Sequence, residues 1–472
     1  MTEPAPVLVW LRRDLRLRDN PAIFAAAGRP AIPVFIREDD RKWAPGGAAR
    51  WWRGASLGAF QRALHGIGSD LVLRSGYPAV ILPALAAETG ARDLVFNRSY
   101  EPADMLQEAD VAAAMRGGGV GVRDLPGNRL HEPWTLKIGA GSPYRVFTPF
   151  WRKLLETYRP PRALPAPTRL VPPDRWPGSE PVASLAVPDA WADGMAATWT
   201  PGESGANVAL ARFIDGCAAY ADMRDRPDVE GTSRLSPHLA WGEISVHEIW
   251  RQVVEHIGDP GMGFLREIGW RDFNTHLLYH FRDLPTQPWN ASFKRFPFVK
   301  SPSALKAWQR GRTGFPLVDA GMRQLWRTGW MHNRVRMIVG SFLVKDLLTD
   351  WREGEAWFWD TLVDADLAQN AGNWQWVAGC GADAAPFFRI FNPTSQSEKF
   401  DPDGDYIRRW VPELAALTAE FIHQPWTARP LELADAGVAL GKTYPFPMID
   451  HAKARSEALA IYQRISGRTS RK

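Results

Sequence analysis

Four short apolar runs in the first third of the chain limit its fold more than any other feature: VLVWL at 7–11, AIPVFI at 31–36, DLVLR at 70–74 and DLVFN at 93–97. Runs this short and this apolar read as buried strands. Amphipathic stretches at 49–64, 79–89 and 103–116 alternate with them and read as helices. Strands that alternate with helices are joined by crossovers, which gives a parallel sheet with helices on its faces. No GxGxxG opens the first helix, and GGGVG at 117–121 sits at a helix end, where it reads as a turn. The domain is therefore Rossmann-like in shape, without the dinucleotide fingerprint.

Between Pro160 and Pro201 lie ten prolines and little periodicity, the mark of a connector laid over a surface. Helical spacing takes over from about Gly205, at 205–224, 243–257, 262–281, 316–328, 333–348 and 353–363. The expected organisation is an α/β domain over 1–130, a connector over 131–204 that is Pro-rich from 160, and an all-α domain over 205–472. Sites in such a helical domain are built where helices face each other.

With 472 residues the chain can bury two or three sizeable cores. Two cysteines, Cys217 and Cys380, provide neither a disulfide framework nor a Cys-rich metal site. The N-terminus has no secretory pattern, and no apolar run is long enough to span a membrane, so the expectation is a cytoplasmic protein. The net charge of +5 is unevenly spread: residues 266–352 carry 15 Lys/Arg against 6 Asp/Glu. That segment suits an anionic polymer, although a solvated basic face would look the same.

Most of the 23 tryptophans read as core. Those between Trp330 and Trp376 differ, because GWMHNRVRM, DWREGE and DADLAQNAGNWQW interleave indoles with Asn, Arg and Asp. Indoles stack on flat π systems and can be oxidised one electron at a time, while the polar groups can grip a redox ring. A flavin, a flat substrate, or both would fit. Asp364 and Asp366 could hold Mg²⁺, but no further ligand lies nearby to complete an oxygen cage. GTSRLSPHLAWGEIS at 231–245 offers hydroxyls at a helix start, suited to a phosphate or to ordinary capping. LREIGWRDF sets Glu267, Trp270 and Arg271 on roughly one helical face, where a carboxylate and an indole could hold a base together.

These segments, with LVWLRRDLRLRDNPA at 8–22, YADMRDRPDVE at 220–230 and DAAPFFRIFNPTSQSEKFDPDGDYIRRW at 383–410, resemble the photolyase/cryptochrome flavoproteins in order and over nearly the whole chain. The resemblance implies an N-terminal antenna domain and a helical C-terminal domain holding FAD. It implies light-driven repair of cyclobutane pyrimidine dimers, a carbon–carbon lyase reaction on UV-damaged DNA. Carried over by position, Tyr220, Thr232, Ser233, Leu235 and Ser236 match residues that hold the FAD phosphates and ribityl chain. Asn333, Arg336, Asp364, Asp366 and Asn370 match those around the rings, with an Arg336–Asp364 ion pair and Asn370 facing flavin N5. Glu267, Trp270, Asn333, Met337 and Trp376 match the lesion pocket, and Arg334 and Arg389 match candidates for DNA phosphates.

Trp374 and Trp351 match the inner members of the family's electron relay, but the outer position falls on Phe298. Trp330, Trp289 and Tyr279 are candidate substitutes, Trp330 first. The positions that would hold an enterobacterial-type folate antenna read Gly46, Ala103 and Asp104, whereas PGGAARWWRGASL at 45–57 resembles plant cryptochromes and related bacterial photolyases. Methenyltetrahydrofolate is the expected antenna; a deazaflavin or no antenna stay open. A signalling cryptochrome is the first alternative. Against it stand Glu267, Trp270, Asn333 and Asn370 together, and the short SGRTSRK ending. A (6-4) photolyase is the second, but the motif reads His332-Asn333 where that group has a His pair. A monomer is expected, since a lesion needs no symmetric partner.

Overall fold

The computed structural model describes residues 4–139, 141–187, 190–383 and 388–467. Residues 384–387 of the DAAPFFRIF motif and 468–472 of the C-terminal segment lie outside them. Strands β1 (Val7–Leu11), β2 (Ala31–Arg37), β3 (Val72–Ser75), β4 (Asp93–Asn97) and β5 (Gly121–Leu125) form one parallel sheet in the order β3-β2-β1-β4-β5. Leu8 of β1 pairs with Ile32 on one side and Leu94 on the other. Helices α1 (Pro21–Ala26), α2 (Gly47–His65), α3 (Pro78–Thr89) and α4 (Pro102–Gly117) make the connections. Leu8, Trp10, Val34, Phe96 and Leu82 are almost fully buried in the core beneath them. Each such side chain contributes roughly 1.5–3 kcal/mol of burial.

Four strands were legible in the pattern, and the described residues form five. β5, GVRDL, is an exposed edge strand carrying Arg and Asp, so no apolar run marks it. The glycines at 117–121 do end α4, but Gly121 already belongs to β5. The six-residue α1 is too short to show periodicity. It is set by local chemistry, with Asn20 Oδ1 capping the amides of Ala22 and Ile23 and Pro21 opening the first turn.

The chain packs as two units. The first comprises Met1–Ala218, Ser233–Arg282 and Val363–Ala368. It contains the sheet and the helices Phe147–Thr157 (α5), Glu203–Gly216, Val246–His256 and Met262–His280. α5 falls inside the expected connector. The second comprises Ala219–Thr232, Asp283–Leu362 and Gln369–Lys472, and has no strand among the described residues. The expected helix over 333–348 is α-helical only over Asn333–Ser341 and continues as a π-helical stretch, Phe342–Asp346, whose five residues are all buried. No described helix is long and apolar enough to cross a membrane.

Candidate functional site

In the first unit, helix Met262–His280 carries Glu267 and Trp270, both half-buried. The indole of Trp270 lies on the ring of Phe147, with centroids 3.7 Å apart and planes 9° from parallel. Phe147 in turn stacks on Trp151 at 6.2 Å, and Gly269 permits the approach, since a Cβ there would come within 2.4 Å of the Trp151 ring. Trp270 is thus a fixed flat platform one helical turn from the Glu267 carboxyl. Arg271, facing inward, donates to the carbonyls of Asn128 and Leu239 at 2.8 and 3.2 Å, and burial pulls its guanidinium down to about 9. The sequence placed these three residues on one face; the structure separates the buried Arg271 from the half-buried Glu267 and Trp270.

Of the residues assigned to FAD in this unit, Ser236 donates from Oγ to Asp364 Oδ2 at 2.7 Å. Asp366 accepts from Arg129 at 3.2 Å, and Ser233 Oγ accepts from the Leu235 amide at 3.3 Å. Leu235 is buried, and the helix that Ser236 opens is only five residues long. Arg129 carried no motif signal in the sequence.

A charged cleft opens at the carboxyl ends of β1 and β4, the strands between which the sheet order reverses. Ligands of open α/β sheets bind at such switch points. Arg12, Arg13, Arg16 and Arg129 line it with Asn97, Glu101 and Asp366. Burial lifts the Glu101 carboxyl to about 7. Asp104, one of the antenna positions, is buried and accepts from Arg41 at 2.5 Å and Ser99 Oγ at 2.7 Å.

The part of helix Leu367–Ala378 that lies in the second unit carries Trp374-Gln375-Trp376 in its last turns. Gln375 is fully buried and fastens this end: its amide donates to Leu284 and Gln287 carbonyls at 2.6 and 2.8 Å and accepts from the Trp289 amide at 2.7 Å. That anchor aims Trp374 inward and leaves Trp376 half-buried. Trp374 packs edge-on to Phe358 at 4.9 Å and to the fully buried Trp308 at 6.3 Å. It fits because residue 354 is glycine; a Cβ there would sit 2.1 Å from the indole. Trp351 is buried beneath the Arg352 guanidinium, 4.6 Å away, and Phe298 lies against Phe296 at 4.7 Å with the rings tilted by 37°. Trp330 is buried beside His332 and under Arg336, at 6.3 and 5.9 Å. Tyr279, another candidate relay end, belongs to the first unit and packs on Trp134 at 5.5 Å.

Asn370, buried, donates from Nδ2 to the carbonyl of Glu355 at 2.9 Å. The carboxyl of Glu355 is itself 1% exposed, its Oε1 has no hydrogen-bond partner, and burial raises it to about 8. His332 caps helix Asn333–Ser341, with Nδ1 accepting from the Arg334 amide at 3.2 Å; its buried Nε2 is unpartnered, and burial lowers the ring to about 4. Arg336 donates to the Met331 carbonyl at 2.8 Å. Asn333 is exposed and Met337 half-buried on the same helix. Arg334 is held by Asp225 at 2.5 Å and lies 4.5 Å over Phe400, so it already has an anionic partner, whereas Arg389 is exposed. Tyr220 is buried with Arg224 5.2 Å over its ring, and Thr232 is half-buried.

The sequence did not single out Phe147, Gln375, Glu355 or Lys345. Phe147 sits in a stretch without a motif, and the other three look like ordinary helix polar residues.

Residues 7–169 match the family described as DNA photolyase, and 264–464 match the FAD binding domain of DNA photolyase. The chain is 51% identical to the deoxyribodipyrimidine photo-lyase of Agrobacterium fabrum over 98% of its own length and 99% of that protein's. It is 38% identical to Cryptochrome-1 of Arabidopsis thaliana over 96% of its length and 70% of that protein's. A bacterial class III photolyase structure from Agrobacterium tumefaciens superposes with a TM-score of 0.95 at 50% identity, covering 99% of both chains. The sheet order, the helical second unit and these full-length similarities place the chain in the photolyase/cryptochrome family of FAD-binding proteins.

Proposed function

We propose that the chain repairs cyclobutane pyrimidine dimers in DNA with blue light. The observation that carries this reading is the Trp270 platform, braced by Phe147 at 3.7 Å, one turn from Glu267 on a single helix. A base turned out of the duplex needs a flat apolar surface and an acceptor for its polar edge. Stacking of this kind contributes about 1–3 kcal/mol per base. Glu267 hydrogen-bonds the pyrimidine edge, and Trp270 and Trp376 hold the flipped bases.

The residues present suit FAD. Tyr220, Thr232, Ser233, Leu235, Ser236, Asn333, Arg336, Asp364, Asp366 and Asn370 are the ones that hold it. Asn370 donates one of its two N–H groups to Glu355, which fixes the amide so that Oδ1 would be the group offered to the N–H at flavin N5. A neutral amide there adds no charge against a reduced ring, so it helps hold that proton. Bound, reduced FAD supplies the light-excited electron. In the substrate, two carbon–carbon bonds of the cyclobutane ring break and the electron is returned, so the lesion is neither oxidised nor reduced overall.

Trp374, Trp351 and Trp330 are read as the electron relay, with Trp330 standing in for the position occupied by Phe298. Methenyltetrahydrofolate is read as the antenna, and the mass of the chromophore released on denaturation checks it. We read the active form as a monomer.

The test is repair of a thymine dimer in a short oligonucleotide by reduced protein under blue light, against a dark control. Light-dependent loss of dimers supports the reading. Flavin-loaded protein that leaves dimers intact overturns it, and a (6-4) lesion or a signalling role is then tested.

A further inference from the structure

Lys345 is 2% exposed, and among the described residues one group accepts a hydrogen bond from it: Nζ donates to the backbone carbonyl of Arg389. The same ammonium lies 4.6 Å over the ring of Phe388. A lysine is costly to bury, and this burial pulls its ammonium down to about 7. Ser341, the last residue of the α-helix that leads into the π-helical stretch, holds the 388–391 segment at a second point, where the Phe391 amide donates to Ser341 Oγ at 3.2 Å. A third hold comes from Phe388, stacked on Tyr462 at 4.6 Å and 7°. The charged and titratable groups around Lys345 are Asp346, bonded to His451 at 2.6 Å, the buried Cys380 and Arg389. π-helical insertions are rare and concentrate at functional sites. Here a buried cation spends its one hydrogen bond on the backbone of an exposed arginine, which makes no ion pair among the described residues.

We propose that Lys345 is a positioning residue for DNA binding: from the π-helical stretch it fixes the backbone of Arg389, so that the guanidinium meets a DNA phosphate in one geometry. The proposal rests on reading Arg389 as a phosphate contact. Phosphate contacts set the register of a protein on DNA, so a contact on a loosely held loop contributes little. Lys345 touches neither DNA nor flavin and acts only through that backbone.

The test uses the FAD-loaded full chain and measures affinity for a dimer-bearing duplex as a function of salt. Each lost phosphate contact lowers the slope of log K against log salt by about 0.9. Arg389→Ala is expected to lower it by about that amount. Lys345→Met is expected to do the same, although the charge it removes is buried, and the double variant Lys345→Met/Arg389→Ala is expected to match Arg389→Ala alone. Flavin absorbance and melting temperature, measured alongside, identify a general loss of fold. Should Lys345→Met lose its flavin, Ser341→Ala, which frees the Phe391 amide, gives the same test: a lowered slope supports the proposal and an unchanged one overturns it. If Arg389→Ala lowers the slope and Lys345→Met does not, the positioning role is wrong and the phosphate reading stands. An unchanged slope in Arg389→Ala removes the phosphate reading and the proposal with it.

Discussion

The side-chain amide of Asn370 is locked by the backbone of Glu355: Nδ2 donates to the Glu355 carbonyl at 2.9 Å. A carbonyl can only accept, so the amide cannot turn end for end without losing the bond. Asn370→Asp puts a carboxylate oxygen against that carbonyl and removes the donor. The expected outcome is a variant that keeps FAD, shown by its absorption, but repairs about five- to 150-fold more slowly. Lost donation together with a new repulsion costs about 1–3 kcal/mol, enough for a factor of that size. Repair per photon in the thymine-dimer assay checks it.

Glu355 itself makes stability depend on pH. Its folded value, raised to about 8 by burial, lies well above that of an exposed glutamate. The folded chain therefore keeps a proton that the unfolded chain has already lost. The stability that Glu355 contributes is full below the unfolded value of about 4.3, falls as pH rises from there to about 8, and levels off above the folded value. Glu355→Gln keeps the shape without the acid. Its melting temperature should exceed that of the parent at pH 8 and approach it at pH 5, with a difference of a few kcal/mol at most. Equal gaps at both pH values would exclude a buried, protonated Glu355.

Gly354→Ala tests the seat of Trp374. A methyl group there would lie 2.1 Å from the indole, so either the helix Trp351–Thr361 or the ring must shift. Overpacking of this kind costs about 1–3 kcal/mol. A lower melting temperature and slower light-driven reduction of bound flavin should appear together in Gly354→Ala. A normal melting temperature would mean that the packing yields more easily than the geometry allows.

Trp330 is the proposed replacement for the relay end at Phe298. Trp330→Phe should slow or abolish photoreduction while leaving repair by chemically reduced protein intact, because repair takes its electron from flavin already reduced. Transient absorption reads the first effect and the oligonucleotide assay the second. Unchanged photoreduction in Trp330→Phe would show that electrons leave by another path, and Trp308, 6.3 Å from Trp374, would be tested next.

The strands β1, β2 and β4 were legible because each is almost wholly buried and carries an apolar run, and β3 because its Val72 and Leu73 are buried. β5 was not, because an exposed edge strand needs no such run. Helical spacing at 333–348 revealed a helix but not its π-helical end, since buried apolar residues in α and π turns have similar spacing over so short a length. The indole and Asn/Asp motifs lie on or beside the helices Asn333–Ser341, Trp351–Thr361 and Leu367–Ala378. What they could not reveal is what holds the motif residues in place. Phe147 under Trp270, Gln375 between two tryptophans and the Glu355 carbonyl behind Asn370 are contacts between residues distant in sequence or through backbone atoms. Arg334 shows the converse. By motif it matches a phosphate contact, yet the fold gives it Asp225, and no sequence pattern near either residue announces the pair.

Val363–Ala368 belongs with the sheet-bearing unit, where Arg13 donates to the Ala365 carbonyl at 3.2 Å, Trp241 to the Val363 carbonyl at 3.3 Å and Arg129 to Asp366. The order of synthesis therefore runs against the order of assembly. Arg13 leaves the ribosome among the first residues, but its partner follows some 350 residues later. At about 5–20 residues per second, the arginine cleft waits tens of seconds for its last wall. During translation the nascent sheet is a domain with one side still unmade, and a chain stopped before residue 363 would lack the Ala365 carbonyl and the Asp366 carboxylate that complete that cleft.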